Sequence, residues 1–308
     1  MKKILKKAPL VHTVIHLEIS RCPALKLSDP QIEDAIQSRM IDLGFQDYIR
    51  SEHRVLEISA QFNPGNQTAS PKELITPRRV FRSASQRELV EVSENAIILK
   101  TANYSTFEEL KDEYFDILTA FLEVVDQTKK VLIKRIGLRY VDVIAPAPGS
   151  KLSDYIQEGM LPARLGMLPG ARKLQGLMMS RSQTALGSEM TVGFEEIPPQ
   201  EGQVRKVLPN NLLEPDNNCT LKIAGQTWWA HMDADTYGIL DIDHVHFFQD
   251  NPAMSLELVK EKLSSLYNAT SNVFWSSITA TAKREWGETQ IEEDKKNDMV
   301  VRTTSTNQ

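Results

Sequence analysis

Cysteine is nearly absent: Cys22 and Cys219 are the 2 in 308 residues. Two unrelated cysteines exclude a disulfide framework or a zinc ribbon, both of which need closely spaced pairs. A reducing, cytoplasmic compartment is expected. Long apolar runs are missing as well, and none reaches the roughly 18 residues of a membrane helix. The opening MKKILKKAPLV holds four lysines but no apolar run of signal-peptide length. Positive charge is not in excess. The 36 Lys and Arg against 41 Asp and Glu leave a net charge of −5, whereas a dedicated nucleic-acid binder is usually basic. No glycine-rich phosphate loop, G-x-S-x-G elbow or H-E-x-x-H pair occurs, which moves the balance away from the common enzyme classes.

What is present is the composition of a globular protein with a substantial core, 41% hydrophobic and 25% charged. The stretch from Val131 to Ile144 organises the reading. Its apolar residues fall on both faces, Ile133, Val141 and Val143 on one and Leu132, Ile136, Leu138 and Tyr140 on the other. Such a strand is expected to be central and covered on both sides. Gly137 predicts a bulge or a close backbone approach. Lys134, Arg135 and Arg139 must be paired or the cover incomplete.

Before this strand, Val11–Ser20 alternates as a strand, and Asp29-Pro30 starts a helix ending near Gly44. Arg54–Phe62 alternates again, and residues 63–77, with three prolines, read as a surface loop. A hairpin over 88–101 precedes a helix whose capping box is Ser105–Glu108. After it come a short helix near 152–156, a hairpin over 173–197, a polar insert over 198–218 and strands at 220–224, 227–235 and 239–248. A last helix runs from about Asn251 to Gly287. The expected fold is α+β: mainly antiparallel sheet with long amphipathic helices, in which a strand–helix–three strands–helix unit is duplicated around the central strand. The halves are 1–129 and 130–287, packed as one compact unit, and 288–308 is a disordered polar tail.

KAPLV before the first strand, KRIGLRYVDVI over 134–144, LDIDH over 240–244 and ITATAKREWGE over 278–288 carry a resemblance. Over roughly residues 7–287 the chain resembles a sporadically distributed family of prokaryotic proteins, of unknown function and known mainly from automated family models. Lys134–Tyr140 is the most specific piece. The resemblance implies one shared architecture and transfers no activity, cofactor or site residue. The family's scattered distribution points to a bacterial defence (phage defence) or toxin-regulating locus as the setting.

Four clusters carry candidate chemistry. In HMDADTYGILDIDHVHFF, the residues His231, Asp233 and Asp235 would share one strand face. Asp241 and Asp243 would then lie on one face of a return strand, with His244 and His246 on the other. Imidazole with carboxylate suits one divalent metal such as Zn or Mn, and the competing reading is the wet face of a hairpin. His12 and His16 share a face but lie about 13 Å apart, too far for one metal. Arg79, Arg82, Lys134, Arg135, Arg139, Arg172, Lys173 and Arg181 could form a phosphate- or nucleic-acid-binding face, or simply pair with acids across strands. Trp228, Trp229 and Trp275 could anchor a protein interface or fill the core.

The leading expectation is a non-enzymatic, cytoplasmic protein-binding scaffold. It would have no cofactor and no membrane association, and a homodimer through a sheet edge is compatible with it. The alternatives are a metal-dependent hydrolase or nuclease using 231–246 and, less favoured, nucleic-acid binding through the basic strands.

Overall fold

The apolar run around Tyr140 does become the axis of the molecule. The structure, a computed structural model, describes residues 2–63, 66–163, 173–198, 205–223 and 236–291. Its first half contains β1 (Lys2–Leu5), β2 (Leu10–Ile19), α1 (Pro30–Asp42), β3 (Asp47–Asn63), β4 (Asn66–Arg82), β5 (Glu88–Ser93), β6 (Ala96–Thr101) and α2 (Phe107–Val124). The second contains β7 (Ile133–Ile144), β8 (Gly176–Ala185), β9 (Ser188–Ile197), β10 (Tyr237–Phe247), α3 (Leu256–Ser277), α4 (Ala280–Glu285) and β11 (Glu288–Ile291). The fold is α+β. A nine-stranded sheet has the order β3-β4-β5-β6-β2-β7-β10-β9-β8, with every pairing antiparallel, and β1 pairs with β11 in a separate ribbon.

β7 lies between β2 and β10, where both its edges are bonded and both faces covered. Outward from the β2/β7 pair the two flanks follow the same rule. β2 is followed by β6, β5 and β4, and β7 by β10, β9 and β8, so each half lays its later strands nearest the centre. The halves differ in detail. Four strands, not three, separate α1 from α2. After β7 the described residues hold only 3-10 turns at Leu152–Asp154 and Glu158–Met160, where the first half has α1.

Two bulges decide which side chains face which way. Between β2 and β7 the register slips at Leu10/His12 and again at Glu18/Ile19, leaving Val11 and Lys134 as the extra residues. Strict alternation therefore misplaces both ends. Ile133 joins Ile136 and Leu138 in the main core, while Val11 joins Val141 and Val143 on the opposite face. Gly137 is not the bulge. A Cβ there would meet Val245 Cγ2 at 3.4 Å, a close approach of a side chain from the neighbouring strand.

Helix starts follow local chemistry. Asp29 caps α1 by accepting from the Gln31 amide, with Pro30 in the first turn. Thr106, one residue later than the capping box predicts, caps α2 through the Glu109 amide. Ser255, not Asn251, caps α3. The last helix is two, because Ile278 breaks the chain to enter a core with Ile144, Ile156 and Leu240. All three long helices pack on one face of the sheet around Ile15, Leu17, Tyr114, Phe121, Leu138 and Leu263.

Three segments depart from the sequence reading. Residues 66–77 are strand, not loop. Pro71 and Pro77 are six apart and so point their missing N–H groups to the same edge, and β4 bonds β5 only from Arg79 onward. Residues 220–223 form no strand; Cys219 ends a 3-10 turn over 217–219. Residues 288–291 are paired with the N-terminal lysine-rich arm instead of starting a tail. The predicted strand at 227–235 lies outside the described residues. Among the described residues no helix is long and apolar enough to cross a membrane.

Candidate ligand-binding cavity

The alternation of β7 puts Tyr140 and Asp142 on the helix face of the sheet, beside Leu10 of β2 and Ile242 of β10. Above them α3 presents Tyr267, Thr270, Ser271, Phe274 and Trp275, the i, i+3, i+4, i+7, i+8 spacing that places residues on one helix face. The loop after β6 contributes Tyr104, and the arm at Lys3–Ala8 closes the side. Together they enclose a cavity of about 570 Å³, inside the roughly 300–1,000 Å³ of small-ligand sites.

Three polar groups point into this space without partners. The Asp142 side chain, in a residue 3% exposed, receives no hydrogen bond or ion pair among the described residues. Burial, and then the charge of Asp241 on the other face of the sheet, push its carboxyl up to about 8. It is therefore largely protonated at neutral pH. Among the described residues the Tyr140 hydroxyl and Thr270 Oγ1 are buried and make no hydrogen bond of good geometry, the Tyr140 hydroxyl having only the Tyr104 phenol near it. Burial also raises Tyr104 and Tyr140 above the usual phenol value, and their rings meet edge to face at 5.5 Å and 88°. A buried polar group left unbonded costs about 1–3 kcal/mol. Three together in one cavity make it a candidate binding site.

The cavity's charge is one-sided. Lys3, Lys6, Lys7 and Arg87 line it, and Asp142 is its one acidic lining residue. Lys3 pairs with Glu288 at 3.3 Å. Arg87 donates to the Ala102 carbonyl, and its Nε is buried without a partner. Lys6 and Lys7 are exposed and form no ion pair among the described residues.

The opposite face is a groove of about 540 Å³ lined by His12, His16, Arg78, Glu91, Arg135, Arg139 and Asp243, with residues 211–215 along it. Here most of the charges are matched, Asp243 excepted. Arg78 bridges Glu91 and Glu214 at 3.1 and 2.5 Å, Arg135 meets Glu18 at 2.6 Å, and Arg139 grips Asp241 at 2.6 Å. Burial lowers His12 and His16 to about 4, so both rings are neutral. His12 Nδ1 lies 3.1 Å from the Thr101 carbonyl, which only accepts, so Nδ1 carries the proton.

The residues singled out in the sequence are dispersed by this arrangement. Arg79 sits near Glu33 at 3.7 Å on the helix face, and Arg82 pairs with Asp47 at 2.6 Å. Lys173 pairs with Glu196 at 2.7 Å and Arg181 with Glu189, both at the far edge of the sheet. Lys134 is exposed at its bulge. Arg172 lies outside the described residues. Six of these seven described basic residues thus form ion pairs, Lys134 being the exception, and they are spread over both faces and the far edge of the sheet.

Of the proposed metal ligands, His231, Asp233 and Asp235 lie outside the described residues. Asp241 and Asp243 face the groove, while His244 and His246 face the helices, because neighbours in a strand alternate. His244 uses both ring nitrogens, Nδ1 on the Leu266 carbonyl at 3.1 Å and Nε2 with the Thr184 hydroxyl at 2.7 Å. His246 Nδ1 is 2.8 Å from the Ser188 hydroxyl. Among the described residues no three His, Cys, Asp or Glu side chains converge as metal ligands. Trp228 and Trp229 lie outside the described residues, and Trp275 faces the cavity.

Sequence reasoning passed over Asp142, Thr270, Tyr104 and Tyr267. The signal for Asp142 was present: a lone acid in Tyr140–Ile144, on a strand expected to be covered on both faces, must be paired or functional. Nothing in the sequence signals Thr270, an ordinary helix residue until it is seen above Asp142. No family model and no curated protein matches the chain.

Proposed function

We propose that this is a non-enzymatic binding protein whose sheet–α3 cavity takes a small organic molecule. The observation that carries the reading is the convergence of three buried, unpartnered polar groups, Asp142, Tyr140 and Thr270, on an aromatic-lined cavity. Ligand sites commonly combine apolar walls with a few such groups that fix orientation. Two free, buried cysteines support a cytoplasmic location. The test is binding of anilinonaphthalene sulfonate, an anionic aromatic dye. The wild-type protein should bind it saturably with a rise in fluorescence. Thr270→Leu, which fills the cavity, should abolish that rise while leaving the circular dichroism spectrum unchanged. Equal dye binding by both proteins would sink the reading.

A second reading, a protein partner or a second copy, has its own observation. β8 is outermost in the sheet among the described residues, and it exposes Leu177 at 63% and Met179 at 70%. Apolar side chains on an outer strand suit pairing with another chain. Sedimentation of the wild type against Met179→Lys checks it, and two identical monomer profiles would remove it.

A further inference from the structure

The class of ligand follows from the charges around the cavity and the shape between them. An organic cation could in principle use a buried carboxyl among aromatic rings. Lys6, Lys7 and Arg87 line this cavity without a carboxylate partner among the described residues, against the one acid Asp142, so the field at the mouth opposes a cation and draws in an anion. Arg87 is the sharpest element. Arg79, Arg82, Arg135, Arg139 and Arg181 each have a carboxylate. Among the described residues the Arg87 guanidinium has none, and its Nε, like those of Arg79 and Arg135, is buried unbonded. A planar guanidinium with free N–H groups is the side chain best shaped for phosphate, and exposed Lys6 and Lys7 add charge beside it.

The cavity walls also include flat rings. Tyr104 and Tyr140 meet edge to face, and Phe274 and Trp275 follow on α3 at 5.8 Å and 78°. Rings of this kind stack nucleobases whatever their identity. At the far end the Asp142 carboxyl, the Tyr140 hydroxyl and Thr270 Oγ1 offer donors and acceptors for the edge of a base. An anion at one end, a planar ring in the middle and a hydrogen-bonding edge at the other describe one familiar kind of molecule.

We propose that the cavity binds a nucleoside phosphate, with the phosphate at Arg87, Lys6 and Lys7 and the base edge against Asp142, Tyr140 and Thr270. This rests on the reading of the cavity as a small-molecule site. The base end sits in the buried part of the cavity and the phosphate end opens toward the arm at Lys3–Ala8. Asp142 acts here as a specificity group, because a carboxyl and a carboxamide present different donor and acceptor patterns to a base.

Isothermal titration calorimetry with AMP, GMP, CMP and UMP tests this, with inorganic phosphate and the free nucleosides as controls and the naphthalene dye run alongside. At least one nucleotide should bind saturably at one per chain, and much more tightly than phosphate alone. Arg87→Gln should weaken that nucleotide by about tenfold or more, the loss of one charge-assisted contact, and leave nucleoside binding unchanged. Asp142→Asn should change the order of preference among the four bases. Dye binding without any nucleotide binding would overturn the ligand class and leave the cavity reading intact. Failure of both would overturn both. Phosphate binding as tightly as any nucleotide would overturn the role of the base.

Discussion

The two faces of the central sheet share strand β7 and are satisfied in opposite ways. On the groove face, charged side chains from β2, β4, β6, β7 and β10 find counter-charges. Arg78 reaches two glutamates, Arg139 meets Asp241, and Lys100 lies 2.7 Å from Glu91. On the helix face, Asp142 and Tyr140 of β7 and Thr270 of α3 are buried and, among the described residues, unmatched. Satisfied polar clusters hold a fold in one arrangement, whereas unmatched ones cost stability until a ligand arrives. The difference teaches that polarity alone did not locate the site; lack of partners did.

The contrast can be broken most severely at Arg78, which is 3% exposed. Arg78→Met leaves Glu91 and Glu214 with Lys100 as their one cation among the described residues and should cost about 3 kcal/mol in urea unfolding. A loss below about 1 kcal/mol would mean that the groove charges do not depend on one another.

The histidines of the groove give the next effect. His12 falls from 6.5 to about 4 in the folded protein, chiefly through burial. Between those two values the unfolded chain binds the proton and the folded protein does not. His12 therefore supports the fold fully above pH 6.5, and that support disappears as pH drops toward 4. The loss is about 3 kcal/mol, and His12→Gln should flatten this acid limb of the stability curve.

Asp142 works in the opposite sense. Its carboxyl keeps its proton to about 8 when folded, whereas an unfolded aspartate ionises near pH 3.9. Raising the pH through that window penalises the folded state. Asp142→Asn should leave stability unchanged near pH 4 and raise it by about 2 kcal/mol or more at pH 8. A variant less stable than wild type at pH 8 would show that the carboxyl is paired after all.

The smallest effect sharpens the same point. The Tyr140 hydroxyl is buried and unbonded among the described residues, so Tyr140→Phe should raise the melting temperature by an amount equivalent to about 1 kcal/mol. A large loss would reveal a hydrogen bond at that oxygen.

Local chemistry determined much of this molecule. The alternating and helical periods of β2, β7, α1 and α2, the Asp29 cap and the apolar stripe of α2 are all legible in the chain, because each depends on residues within one or two turns of one another. So was the central place of β7, since a run apolar on both faces must be covered on both. Sequence could not show the two bulges, which arise only when β2 and β7 are laid together and which send Val11 and Ile133 to the faces opposite those expected. Nor could it separate the basic residues that find acids from Arg87, which among the described residues finds none, because pairing is decided across strands distant in the chain. The cavity belongs to the tertiary structure for the same reason. Asp142, Thr270, Tyr104 and Arg87 come from four elements, and only the packing of α3 and the arm over β7 puts them around one space.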